Sequence, residues 1–146
     1  MELPPQLYEK IESLSEEGGL HFDDGDYEAA IEKWTRALEC VPPPKDDWEA
    51  THWLCASIGD AYYQQSRFDL AREFLLDALN APGGESSPFV FYRLGQSEAR
   101  LGHAEAATDY LLRAYMLDGT DIFEADPEGA HYLKMLEEQG LLPNAG

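Results

Sequence analysis

One short segment of this sequence carries side chains that could bind a metal ion. Asp23-Asp24-Gly25-Asp26 places three carboxylates close together, as a calcium loop would. An EF-hand loop needs oxygen ligands at alternating positions and a glutamate at its twelfth position. A tight turn in which Asp26 caps the next helix explains the same four residues, and we favour this interpretation.

Other side chains with catalytic potential do not form a recognisable site. Adjacent glutamates on a helix point about 100° apart, so Glu16-Glu17 and Glu137-Glu138 do not pair as an acid and a base. No nucleophile elbow, phosphate-binding loop or dinucleotide fingerprint occurs in the sequence. The histidines lack the paired spacing of a zinc site; they are His21, His52, His103 and His131. The sequence therefore predicts no enzyme, no metal and no cofactor.

The charge of the chain indicates what kind of partner it could bind. Its 146 residues carry a formal charge of −19. Residues 1–50 hold a net charge of −10, residues 51–100 hold −2 and residues 101–146 hold −7. This balance argues against nucleic acid and anionic membranes and favours a basic protein partner, although acidity can also serve solubility alone.

Two further features bear on the cellular location. No basic start followed by an apolar stretch suggests a signal peptide, and no run is apolar enough for a membrane span, so we expect a cytoplasmic protein. Cys40 and Cys55 are expected to be reduced, buried thiols. A disulfide between them, across the first loop between repeats, stays an alternative.

Helices must position any functional side chain in this sequence. Apolar residues at helical spacing predict seven helices and no strand. Pro42-Pro43-Pro44 and Pro82-Gly83-Gly84 end two of these helices. Helix starts are expected at residues that can cap or open a helix, namely Asp26, Asp46 or Asp47, Ser87 with Pro88, and Asp126 with Pro127.

Small residues recur along the chain at a constant internal spacing. Each of three segments has a glycine, an alanine 12 residues later and another alanine 7 residues beyond that, and the segments are offset by 41 and 36 residues. The three sets are Gly18, Ala30 and Ala37; Gly59, Ala71 and Ala78; and Gly95, Ala107 and Ala114. Repeated small residues let neighbouring helices approach closely, so this pattern predicts stacked helical hairpins.

These hairpins resemble the tetratricopeptide repeat. The second one matches best, through Cys55, Ile58-Gly59, Tyr62, Ala71, Leu75, Ala78 and Pro82. Glu17 and Glu98 depart from the family pattern, which has leucine and tyrosine there. The resemblance implies a single all-α domain over residues 1–146, built as a right-handed α-solenoid of three hairpins. They span about residues 6–41, 47–81 and 87–118, and a capping helix follows at about 126–139.

The resemblance also implies a concave groove lined by the first helix of each hairpin. Mapped onto this sequence, its partner-binding residues are Glu12, Glu16, Asp23, Trp53, Asp60, Tyr63, Gln64, Phe89, Tyr92, Arg93 and Gln96. Aromatic anchors flanked by charge are typical of binding hot spots. Alternatively, some of these aromatic side chains pack against the N-terminal or C-terminal helix.

The family's known clamp for acidic peptide tails is not expected here. Co-chaperones of the family hold such tails with Lys, Arg and Asn. The corresponding residues in this sequence are Ser15, Gly19, Ala56 and Asp60. Asp60 would repel a carboxylate ligand.

The sequence therefore predicts a non-enzymatic module for protein–protein interaction. Small acidic proteins of this repeat family resemble bacterial immunity proteins, which implies that the chain neutralises a cognate toxin domain with a basic surface. An assembly chaperone or adaptor that holds a partner peptide in the groove is the alternative. A monomer is favoured, and self-association through the exposed aromatics stays open.

Overall fold

The fold is entirely helical in the part of the chain that the computed structural model describes, residues 2–143. The chain divides into two compact units, of which one ends at Glu85 and the other begins at Ser86. No strand occurs within residues 2–143, so the prediction of an all-α fold is confirmed.

The first unit contains two helical hairpins. Its helices are α1 (Pro5–Asp23), α2 (Tyr27–Glu39), α3 (Glu49–Gln64) and α4 (Phe68–Asn80), and a short 3₁₀ turn at Lys45–Asp47 precedes α3. Each helix packs against the next along the chain. Apolar side chains of α1, α2 and α3 form one core, in which Ile11, Leu54 and Ile58 are almost fully buried.

The predicted start of α2 is confirmed, whereas that of α3 is wrong. Asp26 caps α2, because its carboxylate accepts a hydrogen bond from the Ala29 amide at 3.2 Å. Asp46 and Asp47 do not cap α3; they lie in the 3₁₀ turn, and Trp48 holds the cap position without a side-chain hydrogen bond. Because the 3₁₀ turn ends at Asp47 and α3 begins only at Glu49, both carboxylates lie before the position from which a side chain could cap the helix.

The repeated glycines and alanines are packing positions, as the spacing predicts. All six alanines of the pattern are buried. A Cβ atom on Gly59 would lie 2.7 Å from Cγ of Leu75, and one on Gly95 would lie 2.6 Å from Cγ of Leu111. Gly18 faces the Trp34 ring in the same way. Each first helix of a hairpin can therefore approach the second only because it has no side chain there.

The turns inside the three hairpins share one backbone conformation. Gly25 and Gly102 have φ angles of 78° and 82°, and Ser66 has the corresponding φ of 61°. These residues are separated by the same 41 and 36 residues as the helical glycines. Glycine adopts this left-handed conformation readily, whereas serine adopts it at a cost.

The second unit contains the third hairpin and a C-terminal segment. Helices α5 (Pro88–Arg100) and α6 (Ala104–Asp118) form the hairpin, and α7 (Asp121–Glu124) and α8 (Gly129–Glu138) follow it. Ser87 caps α5 as predicted, because its hydroxyl accepts a hydrogen bond from the Val90 amide at 3.4 Å. Helix α7 contacts α5, α6 and α8, and α8 also packs on α6.

Two predictions for the C-terminal segment are wrong. Residues 2–143 contain eight α-helices instead of seven, because the short helix α7 precedes the capping helix. The capping helix begins at Gly129 and not at Asp126-Pro127, and no side chain caps it. The Asp126 carboxylate instead accepts hydrogen bonds from α5, so it is not available to the start of α8.

Candidate functional site

Three of the predicted binding residues lie on one exposed face of α1. Glu12, Glu16 and Asp23 are all exposed, and their spacing of four and seven residues places them on the same side of the helix. Ile11, Leu14 and Gly18 occupy the opposite, buried side. The amphipathic pattern of α1 therefore turns these carboxylates towards solvent.

Two basic side chains of the first unit bind partners within that unit. Lys33 forms an ion pair with Glu17 at 3.3 Å. The Lys45 ammonium group donates hydrogen bonds to the carbonyl oxygens of Leu38 and Val41, at 2.9 and 2.7 Å. Neither contact neutralises the carboxylates of Glu12, Glu16 or Asp23, so this face of α1 keeps a strong negative charge.

Helix α3 exposes one of its four predicted residues, Gln64, half-buries Trp53 and Asp60, and buries Tyr63. Trp53, Asp60 and Gln64 are spaced by seven and four residues and share one face. The Gln64 side-chain amide donates to the Asp60 carboxylate at 3.2 Å. Tyr63 is only 7% exposed, and its ring contacts that of Phe68 edge to face at 5.3 Å.

A cleft of about 550 Å³ joins the beginnings of these two faces. It is lined by Glu2, Leu3, Pro5, Tyr8, Trp48, Glu49, Ala50 and Trp53. Tyr8 lies one helical turn before Glu12, and Trp53 lies two turns before Asp60, so the carboxylate face of α1 and the face of α3 that carries Asp60 both start near this cleft. We call it the aromatic cleft.

Of the three aromatic residues that line this cleft, only Trp53 was among the binding residues predicted from the sequence; Tyr8 and Trp48 were not. Tyr8 lies outside the part of α1 that the family pattern marks, yet its four-residue spacing to Glu12 could have revealed it. The position of Trp48 follows from the loop before α3, where its indole N–H donates to the Pro42 carbonyl at 2.9 Å. No periodic signal in the sequence encodes that loop contact.

In the second unit the predicted residues meet around one carboxylate. The Tyr92 hydroxyl and the Gln96 side-chain amide donate to Oδ2 of Asp126, at 2.7 and 3.1 Å. The Arg93 guanidinium donates to Gln96 at 2.7 Å and lies 3.9 Å from Oδ1 of Asp126. Burial, followed by the hydrogen bond to Asp126, raises the pKa of Tyr92 above its ordinary value.

This arrangement gives the second unit a buried polar cluster. Tyr92, Arg93 and Gln96 are all buried, and the guanidinium of Arg93 lies over the ring of the half-buried Phe89 at 5.2 Å. The cluster ties α5 to the segment between α7 and α8. The alternative in which aromatic groove residues pack against the C-terminal helix therefore describes Tyr92, whose ring also contacts Phe123 and Tyr132.

Both cysteines are free thiols with different exposure. Cys55 is buried and Cys40 is half-buried, and no disulfide joins them. Burial, with a smaller contribution from the nearby Asp77 charge, raises the pKa of Cys55 to about 12. A buried thiol with such a pKa is a weak nucleophile.

We expect iodoacetamide to alkylate Cys40 at least ten times faster than Cys55 in the native protein at pH 8. A thiol with a pKa about four units above the pH is about one part in ten thousand thiolate, and burial also restricts access to it. Mass spectrometry of peptides after timed quenching would measure both rates. In urea the two rates should converge, and equal rates in the native protein would contradict the burial of Cys55.

Residues 2–143 offer neither a cluster of metal ligands nor a membrane-spanning helix. No group of three or more histidine, cysteine, aspartate or glutamate side chains in that range is arranged to hold a metal ion. None of the helices described is long and apolar enough to cross a membrane.

Comparison with known proteins identifies the fold. No protein-family model matches the chain, and no curated protein matches it in sequence. Among solved structures, the first tetratricopeptide domain of Spaghetti (RPAP3), bound to the HSP90 peptide SRMEEVD, has a TM-score of 0.71 at 21% identity, covering 90% of this chain and 93% of that domain. The OM64 tetratricopeptide domain of Arabidopsis has a TM-score of 0.72 at 14% identity, with 91% and 98% covered.

A third structure is the second tetratricopeptide domain of human RPAP3 in complex with the HSP70 peptide SGPTIEEVD. It has a TM-score of 0.70 at 21% identity, covering 90% of this chain and 98% of that domain. At such identities the likeness establishes fold alone. The chain therefore has the fold of tetratricopeptide-repeat domains, the family that its hairpins resemble in sequence.

Proposed function

We propose that this protein is an adaptor or assembly chaperone that holds a basic segment of a partner protein against its first unit. The observation that carries this proposal is the exposed carboxylate face of α1, formed by Glu12, Glu16 and Asp23, which begins at the aromatic cleft. Negatively charged carboxylates and aromatic rings both attract the cationic side chains of lysine and arginine. The protein would act as a monomer in the cytoplasm and needs no catalytic residue for this role.

The solved structures with bound peptides support a peptide as the ligand. The peptides in the two RPAP3 complexes end in EEVD and are acidic at that end. In this chain, Gly19 and Ala56 stand at two positions where the family's clamp has polar donors, and Asp60 at a third is negative. The ligand of this protein should therefore have the opposite charge.

Isothermal titration calorimetry with two peptides tests this proposal. We expect a short lysine- and arginine-rich peptide to bind, more weakly as salt rises, and SRMEEVD not to bind. Tight binding of SRMEEVD, or equal binding of both peptides, would contradict the proposal.

A pair of charge variants then locates the binding face. The triple variant Glu12→Gln/Glu16→Gln/Asp23→Asn should weaken binding of the basic peptide about tenfold, because each exposed charge pair contributes up to about 1 kcal/mol. The control variant Glu105→Gln/Glu137→Gln/Glu138→Gln removes the same charge from the second unit and should have less than about a threefold effect. Equal effects would show attraction by net charge alone.

Inhibition of a basic toxin domain is the second candidate function. The observation in its favour is that residues 101–146 also carry a net charge of −7, far along the chain from α1. An inhibitor that covers a folded domain would use both acidic regions, and no short peptide would reproduce its affinity. The control variant would then weaken binding of the folded domain, as opposed to the short peptide, as much as the α1 variant does.

A further inference from the structure

The aromatic cleft has a composition that selects for a positively charged group. Its walls include three aromatic rings, those of Tyr8, Trp48 and Trp53. Glu2 and Glu49 add two carboxylates, both exposed, and no basic side chain lines the cleft within the described residues.

The aromatic walls of the cleft are held in place by the first unit. The indole N–H of Trp48 is fixed by its hydrogen bond to the Pro42 carbonyl, and the Trp48 and Trp53 rings pack against the core of α1, α2 and α3. Tyr8, in contrast, is 51% exposed and forms the outer wall. A ligand would therefore meet two preformed rings and one that is open to solvent, which limits the ordering cost of binding.

We propose that the aromatic cleft binds one cationic side chain, a lysine ammonium or an arginine guanidinium, together with its flanking backbone. The volume of about 550 Å³ lies within the range of small-ligand sites and exceeds the needs of a side chain alone. A cation gains from the ring faces and from the carboxylates of Glu2 and Glu49. An anion would be repelled by those carboxylates, and a neutral apolar group would remove them from water without compensation.

This inference rests on the proposed function, since it names the anchor residue of the basic segment. The segment would insert one lysine or arginine into the cleft and lay its remaining charges along Glu12 and Glu16. The cleft is thus a specificity site, whereas the α1 face contributes attraction over a longer range.

The three tryptophans provide a direct test in the full-length protein. Their indole N–H groups give three signals in a two-dimensional ¹⁵N–¹H NMR spectrum. Trp48 and Trp53 line the cleft, whereas Trp34 is buried and donates to the Ser15 carbonyl at 3.0 Å, so it serves as an internal reference. Single Trp→Phe variants assign the signals.

Three small probes separate charge from shape. Nα-acetyl-argininamide and Nα-acetyl-lysinamide should shift the Trp48 and Trp53 signals in a saturable manner and leave Trp34 unchanged. Nα-acetyl-citrullinamide, which has the shape of the arginine probe without its charge, should bind at least five times more weakly. Equal shifts by citrulline, shifts without saturation, or equal movement of all three signals would overturn the proposal.

Variants of the cleft give a second readout. Tyr8→Ala and Glu49→Gln should each lower the affinity for Nα-acetyl-argininamide at least threefold, whereas Glu39→Gln on α2 should not change it. An unchanged Trp34 signal shows that each variant is folded. If Tyr8→Ala and Glu49→Gln bind the probe as the native protein does, the cleft is not the site.

The failure of this inference can be told apart from that of the proposed function. If the basic peptide binds and depends on the α1 carboxylates while the small probes do not bind, only the inference about the cleft is wrong. If the probes bind in the cleft but no basic peptide binds better than SRMEEVD, the proposed function is wrong and the cation site stands.

Discussion

Leu75→Ala is expected to lower the free energy of unfolding by about 2–5 kcal/mol, because it empties a fully buried site between α3 and α4. Gly59→Ala alone should cost about 1 kcal/mol, because overpacking against Leu75 outweighs the helix propensity that alanine adds. In the Leu75→Ala background the same methyl group fills part of the cavity. Gly59→Ala should then be neutral or stabilising, and urea unfolding followed by circular dichroism would measure all three variants.

Gly19 provides the matched control for this cycle. A Cβ on Gly19 meets no atom within 4 Å, so Gly19→Ala should stabilise α1 by about 1 kcal/mol through helix propensity alone. The coupling between positions 59 and 75 should reach about 1 kcal/mol. If the two substitutions add to within about 0.3 kcal/mol, the close approach of α3 and α4 does not depend on the missing side chain.

Asp126→Ala is expected to lower the free energy of unfolding by about 2–4 kcal/mol. The substitution removes the carboxylate that accepts from Tyr92 and Gln96 and that lies beside Arg93, so buried polar groups lose their acceptor. Asp126→Asn keeps the shape of the side chain and one acceptor oxygen, so its free energy of unfolding should fall by less. Chemical denaturation of the full chain measures both variants.

The ion pair between Arg100 and Glu128 is the control for Asp126. It also joins α5 to the segment before α8, but its side chains are 48% and 41% exposed, far more than the buried partners of Asp126. Glu128→Gln should therefore change stability by no more than about 0.5 kcal/mol. If Asp126→Ala and Glu128→Gln lower the free energy of unfolding equally, the buried cluster contributes no more to stability than a surface ion pair.

The sequence predicted the hairpins because their determinants are local and repeated. Gly59 and Gly95 recur with buried alanines at a fixed spacing, and a close helix–helix contact is a direct consequence of that pattern. Asp26 and Ser87 stand immediately before helices, and their side chains accept hydrogen bonds from amides in the first turn. These helix starts are therefore also determined by nearby residues. Neither prediction needs knowledge of distant residues.

The C-terminal segment could not be predicted because its determinants are distant in sequence. Asp126 followed by proline is typical of a helix start. Its carboxylate instead accepts hydrogen bonds from Tyr92 and Gln96, which lie 34 and 30 residues away in sequence. The Asp126 carboxylate can either cap α8 or accept hydrogen bonds in the buried cluster, and the cluster is favoured because it provides an acceptor for several buried polar groups at once. The helix therefore begins three residues later, at Gly129.

The candidate site shows the same division between local and distant determinants. The face of α1 that carries Glu12 and Glu16 follows from helical periodicity, so the sequence was enough to place these residues together. The aromatic cleft depends on the segment before α1 meeting the start of α3, across more than 40 residues of chain. Tyr8 and Trp48 could not be assigned to one site until that meeting was known.

The turn at Ser66 is expected to open more readily than the equivalent turns of the other two hairpins. Its left-handed conformation costs about 1–2 kcal/mol, a cost that Gly25 and Gly102 do not carry at the equivalent turns. Local opening draws on that stored free energy, so amides around the turn between α3 and α4 should exchange with solvent sooner than their counterparts in the other two hairpins. We therefore expect the repeat that matches the family pattern best to contain the turn that opens most readily.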